Sequence, residues 1–171
     1  MDIVSHGLWV NFMFRAAKQP RKIALIATFF GVAPDLFSFG LATFFRWTGL
    51  GALFGVPAIT GDWGIGNVVV PRYIYSLYNV THSLVVFGAV FLLVWLLRGR
   101  KWYWPLLGWA IHVLIDIPTH STKFFPTPFL WPVANVQVNG IPWGEPAFFI
   151  PNVIALIGAF VWLYVREQRA Q

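Results

Sequence analysis

Histidine and aspartate residues in apolar surroundings are the side chains of this sequence that could do chemistry. His112 and Asp116 are four residues apart in a stretch that reads as one helix, so both side chains lie on the same face. A helical His-x-x-x-Asp can present an imidazole and a carboxylate to one metal ion, or to two adjacent ions. The alternative is a buried hydrogen bond between the two side chains that holds two helices together.

Asp35 and His82 belong to short motifs inside or beside other apolar segments. Asp35 follows Pro34, which removes a backbone donor and is expected to kink a helix. A carboxylate at that depth needs a cation, a metal ion or a proton, unless it only bonds a Ser or Thr of a neighbouring helix. His82, in Thr81-His82-Ser83, is expected at the end of a helix, where a lone histidine is more often structural.

Taken together, the ionisable residues in apolar surroundings form a set of metal-type ligands expected at similar depth. The set is His6, Asp35, His82, His112, Asp116 and, after the helix-disrupting Pro118, His120, with Glu145 as a weaker candidate. Imidazole and carboxylate without any cysteine suit Zn²⁺, Mn²⁺ or Fe²⁺ and exclude thiolate sites. Six ligands exceed the four of a tetrahedral zinc, which predicts about one to two ions and favours a two-metal phosphoesterase centre.

The composition indicates the elements that must position these ligands. Of the 171 residues, 58% are hydrophobic and 11% are charged, whereas a soluble domain carries about 25% charged residues. We therefore predict a polytopic membrane protein whose residues 1–171 form a single all-α domain. The net charge of +6 resembles that of a nucleic-acid binder, but the basic residues flank apolar segments. Membrane lipids, not nucleic acids, are the expected partners.

Four segments are apolar enough for spanning helices of about 20 residues. They are Ile23–Phe45, Val80–Leu97, Trp102–Ile117 and Ala147–Val165, and Asp2–Ala17 is a fifth segment that either spans or re-enters the membrane. The sequence therefore predicts a bundle of four to five transmembrane helices. A basic cluster follows the first apolar stretch instead of preceding it, so we do not expect a signal peptide.

Basic residues flank these segments in three clusters. The clusters are Arg15, Lys18, Arg21 and Lys22, then Arg98, Arg100 and Lys101, and finally Arg166 and Arg169. Alternating helices place all three on one side, which the positive-inside rule makes cytoplasmic, together with the C-terminus. The predicted site then lies in the outward half of the membrane, with Asp35 near the middle and with His6 also outward if Asp2–Ala17 spans. Its outward ligands are His82, His112, Asp116 and His120. The apolar loops Arg46–Asn79 and Thr119–Pro146 face outward and either cover a cavity or serve as simple connectors.

The order of the motifs resembles the bacterial YdjM-like family of inner-membrane metal-dependent hydrolases. The matching motifs are Ser5-His6-Gly7, Ala33-Pro34-Asp35, Thr81-His82-Ser83, the run from Gly108-Trp109 to His112 and Asp116, and Leu130-Trp131-Pro132. Two positions depart from the family. Phe37 stands where a second aspartate is often found, and Leu77-Tyr78-Asn79 stands where His-Arg-Gly is common.

That family is in turn similar to the zinc-dependent phospholipase C and single-strand nuclease superfamily. The resemblance implies a phospholipase C-like helical core in the bacterial inner membrane. It also implies a first metal ion held by Asp116 and three further ligands. Asp116 would bridge this ion to a second ion bound by His6, and His120 would be an added ligand. The further ligands of the first ion would be Asp35, His82 and His112.

We therefore expect a membrane-bound metal-dependent hydrolase of phosphoesters, with lipids among the candidate substrates, in which Asp35 or Asp116 is both ligand and catalytic base. The alternative is a non-catalytic membrane protein whose His/Asp cluster is structural or conducts protons or cations. A third interpretation is a haem-binding bundle with His82 and His112 as axial ligands, although haem ligation has no need of aspartates. Nothing in the residues indicates an oligomeric state.

Overall fold

A computed structural model describes residues 1–61, 69–123 and 125–169 of the chain. Within these ranges the chain is helical, and the one pairing of extended backbone joins Thr60 to Val69. The predicted all-α class is confirmed.

The described residues contain eight α-helices, three of which form the layer that positions the candidate ligands. The bounds are α1 Ile3–Ala16, α2 Arg21–Asp35, α3 Leu41–Thr48, α4 Leu50–Leu53, α5 Arg72–Thr81, α6 Leu84–Leu97, α7 Leu107–Thr119 and α8 Pro146–Gln168. A π-helical turn at Leu36–Gly40 joins α2 to α3, and a 3-10 turn at Trp104–Leu106 precedes α7. Helices α1, α2 and α7 pack on one another, and α8 lies along α1.

Two stretches of helix among the described residues are long and apolar enough to cross a membrane. They are Arg21–Thr48, which runs through the π-helical turn, and Pro146–Gln168. Helices α5 and α6 make a third if the pair, bent by 58°, is counted as one span. The lengths and apolar composition of these helices identify a membrane protein. Four to five spans are not confirmed, because α1 has 14 residues and α7 has 13, short of the roughly 20 needed.

Pro34 does not end the first long helix, although it removes a backbone donor. The chain passes from α2 into the wider turn at Leu36–Gly40 and then into α3. The hydroxyl of Ser38 donates to the carbonyl oxygen of Pro34 at 2.8 Å. π-helical turns change the register of side chains and occur frequently at functional sites. This one begins directly after Asp35.

The predicted span Val80–Leu97 is divided between two helices. Helix α5 ends at Thr81, and the side chain of Ser83 begins α6 by accepting hydrogen bonds from two amides of its first turn, each at 3.1 Å. His82 therefore lies in the bend between two helices, where its direction differs from that of a residue inside a straight span. The loop predicted at Arg46–Asn79 contains the end of α3, all of α4 and most of α5, so the loop assignment is wrong for these helical residues.

Glycine allows α7 to lie directly against α2. A Cβ atom on Gly108 would lie 2.1 Å from the carbonyl oxygen of Ala27. A Cβ atom on Gly31 would lie 2.6 Å from Cγ2 of Val10 on α1. The three helices therefore approach one another more closely than larger residues would permit. One helical turn after Gly108, the side chain of His112 is held against the backbone of α2.

Nine of the twelve basic residues, those of the three clusters, gather at one end of the bundle. Helices α1 and α8 end there, and Arg166 of α8 donates to the carbonyl oxygen of Ala16 at 2.7 Å. Helix α2 begins at this end with Arg21, and α7 begins after Lys101. We call this end the basic end. The first turn of α1 and the last turns of α2 and α7 lie at the opposite end.

Candidate metal centre

Four predicted ligands meet at the end of the bundle opposite the basic end. Asp35 ends α2, His82 lies in the bend after α5, and His112 and Asp116 are on α7. Their ligand atoms all lie within 4.8 Å of one another. Oδ2 of Asp116 is 3.2 Å from Nε2 of His112 and 3.4 Å from Nε2 of His82. The two histidines and Asp116 are fully buried, whereas the side chain of Asp35 is 18% exposed.

Backbone carbonyl groups orient the two imidazoles and determine which nitrogen carries the proton. Nδ1 of His112 donates to the carbonyl oxygen of Gly31 at 2.7 Å, and Nδ1 of His82 lies 2.9 Å from the hydroxyl of Thr81 and 3.2 Å from the carbonyl oxygen of Tyr78. The hydroxyl of Thr81 donates to the carbonyl oxygen of Leu77 at 2.9 Å and therefore accepts from His82. Because a carbonyl oxygen only accepts, Nε2 of each neutral ring has a lone pair and no proton. The two Nε2 atoms nevertheless face each other at 3.1 Å. This arrangement is repulsive unless a positive charge lies between the rings.

The spacing of the four ligand atoms fits a divalent metal ion. Tetrahedral zinc with bonds of about 2.1 Å separates its ligand atoms by about 3.4 Å. Nε2 of His82 is 3.4 Å from Oδ1 of Asp35, and Nε2 of His112 is 3.9 Å from the same oxygen. Oδ2 of Asp116 is buried and accepts no hydrogen bond from the described residues, which leaves it available to a cation. These four side chains can hold a metal ion, as the sequence predicted.

The carbonyl partners of the imidazoles match the surroundings of metal-bound histidine in other proteins. Such a histidine almost always donates its second N–H to a carboxylate, a backbone carbonyl or water, which fixes the ring. His82 and His112 both do so. The centre therefore has oriented ligands even without an ion to hold them.

The second oxygen of Asp116 faces the two remaining predicted ligands. Oδ1 is 2.8 Å from Nε2 of His6 and 3.4 Å from Nε2 of His120. Nδ1 of His120 donates to the carbonyl oxygen of Phe125 at 2.7 Å, which again leaves a lone pair on Nε2. The α-amino group of Met1 contacts both Oδ1 of Asp116 and Nε2 of His120. All six predicted ligands therefore lie in one connected cluster.

Glu145, the weaker candidate, does not belong to this cluster. It is exposed and precedes α8, outside the group of ligand atoms found among the described residues. Phe37, which stands where the similar family often has an aspartate, is 57% exposed on the π-helical turn.

Tyr78 is a buried residue of the site that was not predicted from the sequence. Its ring stacks on that of His82 with centroids 3.9 Å apart. Its hydroxyl donates to the carbonyl oxygen of Phe125 at 2.9 Å and lies 3.2 Å from Nδ1 of His120. Tyr78 thus contacts histidines on both sides of Asp116. Its position four residues before His82 in a helical stretch is the signal that could have found it.

The distance between His82 and His112 excludes haem ligation by this pair. A macrocycle must lie between its two axial ligands, and their Nε2 atoms are only 3.1 Å apart. The two rings also meet edge to face, with an interplanar angle of 66°. The haem interpretation is therefore wrong.

No family model, no curated protein and no solved structure matches the chain. The resemblance to the YdjM-like family consequently stays a prediction from the order of the motifs. Any function assigned to the chain must come from the chemistry of the cluster itself.

Proposed function

We propose that the chain is a membrane-embedded, metal-dependent hydrolase of phosphoesters. The observation that supports the proposal most is the convergence of four electron-pair donors, from His82, His112, Asp35 and Asp116, on one buried point. A divalent ion of the zinc class supplies a Lewis acid that polarises a phosphoryl oxygen and acidifies a water molecule. The donors are imidazole and carboxylate, which suit such an ion.

The proposal includes a second ion on the other side of Asp116, which would displace the α-amino group of Met1 from its contacts with Oδ1 of Asp116 and Nε2 of His120. Paired ions in phosphoesterases lie about 3.5–4 Å apart and act on both the attacking and the leaving oxygen. Asp116 presents Oδ2 to His82 and His112 and Oδ1 to His6 and His120. A carboxylate in this position can bridge two ions.

The two carboxylates differ in their access to water, which suggests different roles. The side chain of Asp116 is 1% exposed and that of Asp35 is 18% exposed. A water molecule can therefore reach Asp35 more easily. We assign to Asp35 the acceptance of the proton from the attacking water, in addition to its role as a ligand, and to Asp116 the role of ligand alone.

An apolar groove beside the cluster supports a lipid substrate. It lies between α1 and α2, has a volume of about 530 Å³, and includes residues on both sides of His6 and of Asp35. These residues are Ile3, Gly7, Val32 and Leu36. In a bilayer such a groove accommodates an acyl chain, which would bring an attached phosphoester near the cluster. In the proposed topology the basic end is cytoplasmic and the centre opens toward the outer leaflet of a bacterial inner membrane.

The helices between the cluster and the basic end favour hydrolysis over ion conduction. A proton or cation relay needs ionisable or polar groups along its path. Between these two ends, neither α1 nor α2 carries an ionisable residue, and their polar pair Asn11 and Thr28 is bonded within itself at 3.1 Å and to the backbone of α2. The buried core there consists of Val10, Phe14, Ala24 and Ala27.

Elemental analysis of the protein purified in detergent tests the proposal. We expect about one to two zinc-type ions per chain, and loss of metal in Asp116→Asn because that residue contacts both groups of ligands. Hydrolysis of a phospholipid and of a soluble aryl phosphate should fall on the order of 100-fold or more in the same variant. Glu145→Gln removes an exposed carboxylate outside the cluster and should change neither quantity. A native protein without metal, or a variant that retains its full content, contradicts the proposal.

A further inference from the structure

A cavity of about 370 Å³ lies next to the metal centre, between α5 and the loop that follows α7. Both polar and apolar side chains line it. The polar ones besides tyrosine are Asn79, Lys123, Asn135 and Gln137. The loop predicted at Thr119–Pro146 therefore covers a cavity and is more than a connector.

Two residues that line this cavity also contact ligands of the metal centre. They are Tyr78 and Phe125, whose carbonyl oxygen is 2.7 Å from Nδ1 of His120. The ring of Tyr78 stacks on His82 at 3.9 Å and its hydroxyl lies 3.2 Å from Nδ1 of His120. A group bound in the cavity is thus adjacent to the imidazoles of the proposed centre.

The charge in the cavity is positive and is not balanced by the described chain. Lys123 is exposed and forms no ion pair with any described residue, and the described lining contains no carboxylate. The other three lysines, Lys18, Lys22 and Lys101, belong to the arginine clusters of the basic end. Lys123 is therefore the one lysine that does not belong to the clusters used to predict the topology.

Amide side chains line the same cavity as Lys123 and offer further donors. Asn79 makes no side-chain hydrogen bond within the described chain, and Asn135 uses only its oxygen, toward Gln137 at 3.5 Å. The hydroxyl and the amide of Thr122 both donate to Asn139 at 3.0 Å, which anchors the backbone next to Lys123. An ammonium group with several N–H donors matches the oxygens of a phosphate.

We propose that this cavity binds the phosphate group of an anionic phosphoester, with Lys123 as its counter-charge. Its role as a substrate site rests on the proposed function, whereas phosphate binding by itself does not. A lipid headgroup and a soluble phosphate ester share this chemistry.

Binding of inorganic phosphate to the full chain in nanodiscs of phosphatidylcholine tests the proposal. The protein is first treated with a chelator, so that phosphate cannot bind to a metal ion. Loss of a hydrogen bond to a charged group predicts that Lys123→Ala weakens binding about tenfold or more. Lys123→Arg should stay within about threefold of the native protein, because it retains the charge. Lys101→Ala, a matched change at the basic end, should have no effect.

Nanodiscs that also contain phosphatidate distinguish the two sources of phosphate. Weaker apparent binding of inorganic phosphate in these nanodiscs, but not with Lys123→Ala, identifies a lipid headgroup as the occupant. Equal binding in both nanodiscs identifies a soluble phosphate ester. Absence of saturable phosphate binding, or equal binding by the native protein and Lys123→Ala, overturns the proposal.

Metal content separates this inference from the proposed function. If the protein holds metal and hydrolyses phosphoesters without any dependence on Lys123, the proposed function is supported and the cavity assignment is wrong. If the protein holds no metal but its phosphate binding requires Lys123, the phosphate site is supported and the hydrolase function is wrong.

Discussion

The two ends of the helix bundle hold their charged residues in opposite ways. At the basic end, Arg15 donates to Glu167 through two nitrogens, at 2.6 and 3.2 Å, and Arg21 lies 3.5 Å from the same carboxylate. The side chains of the closer pair are 23% and 35% exposed. The carboxylate of Glu167 is therefore paired within the chain, and water can solvate the exposed basic side chains of this end.

At the opposite end, charge is buried and is not balanced. Asp35 and Asp116 lie with the imidazoles of His82 and His112, whose facing nitrogens have lone pairs, and among the described residues the one permanently positive group in contact with either carboxylate is the α-amino group of Met1. That group contacts Oδ1 of Asp116, whereas Oδ2 has no hydrogen-bond partner in the described chain. Burial of a carboxylate oxygen without a partner is unfavourable. The comparison indicates that the carboxylate of one end is paired within the chain, whereas the other end has a buried carboxylate oxygen that a cation from solution can bind.

Removal of metal should give the largest difference between the two ends. An ion present at about 1,000 times its dissociation constant stabilises a folded protein by about 4 kcal/mol. We therefore expect a strong chelator to lower the unfolding temperature of the native protein markedly, as followed by tryptophan fluorescence in detergent. His112→Ala, which removes a ligand, should unfold at a lower temperature and respond little to the chelator. An identical transition with and without chelator in the native protein would remove the basis of the comparison.

The second prediction concerns the packing that positions the centre. Gly108→Ala places a Cβ atom 2.1 Å from the backbone of α2 at Ala27, so α7 must move away. That movement disturbs the bond from His112 to the carbonyl of Gly31. We expect a loss of roughly 1–3 kcal/mol in the free energy of unfolding and metal binding about 10–100-fold weaker, measured by denaturation and metal titration.

Gly88→Ala on α6 is the matched control for Gly108→Ala. A Cβ atom there would meet no atom within 4 Å, so the change should be neutral or slightly stabilising. Metal binding should be unchanged. Equal effects of the two substitutions would show that the close contact of α2 and α7 does not matter to the centre.

The ligands could be predicted from the sequence because each lies in an apolar context where ionisable residues are rare. The period of the α-helix places His112 and Asp116 on one face, and that spacing is preserved in α7. Asp35 and His82 join them in the structure, as predicted from their shared depth. The spacing rule for helices and the rule that buried ionisable residues contact one another therefore predict the same cluster.

The bend at His82 and the span count could not be predicted in the same way. Hydropathy averaged over about 20 residues is insensitive to a single capping residue, and Ser83 begins a new helix inside a continuous apolar run. The backbone acceptor at Gly31 has no side chain to reveal it, and its contact with His112 depends on how α2 and α7 pack. Tertiary packing determines such features, and short sequence patterns do not predict tertiary packing.

The smallest effect is expected at the basic end. Glu167→Gln removes the carboxylate that pairs with Arg15 and Arg21, but these side chains are partly exposed and solvated. Exposed ion pairs contribute little and are screened by salt. We therefore expect an unfolding temperature within experimental error of the native value, and a metal content and chelator response equal to those of the native protein.

A loss of metal in Glu167→Gln would mean that the two ends are energetically coupled through α1 and α8. The substituted residue lies about the length of α1, roughly 20 Å, from the centre, so it cannot act by direct contact. An unchanged metal content together with a large loss in Asp116→Asn would place the requirement for a cation at one end of the bundle alone.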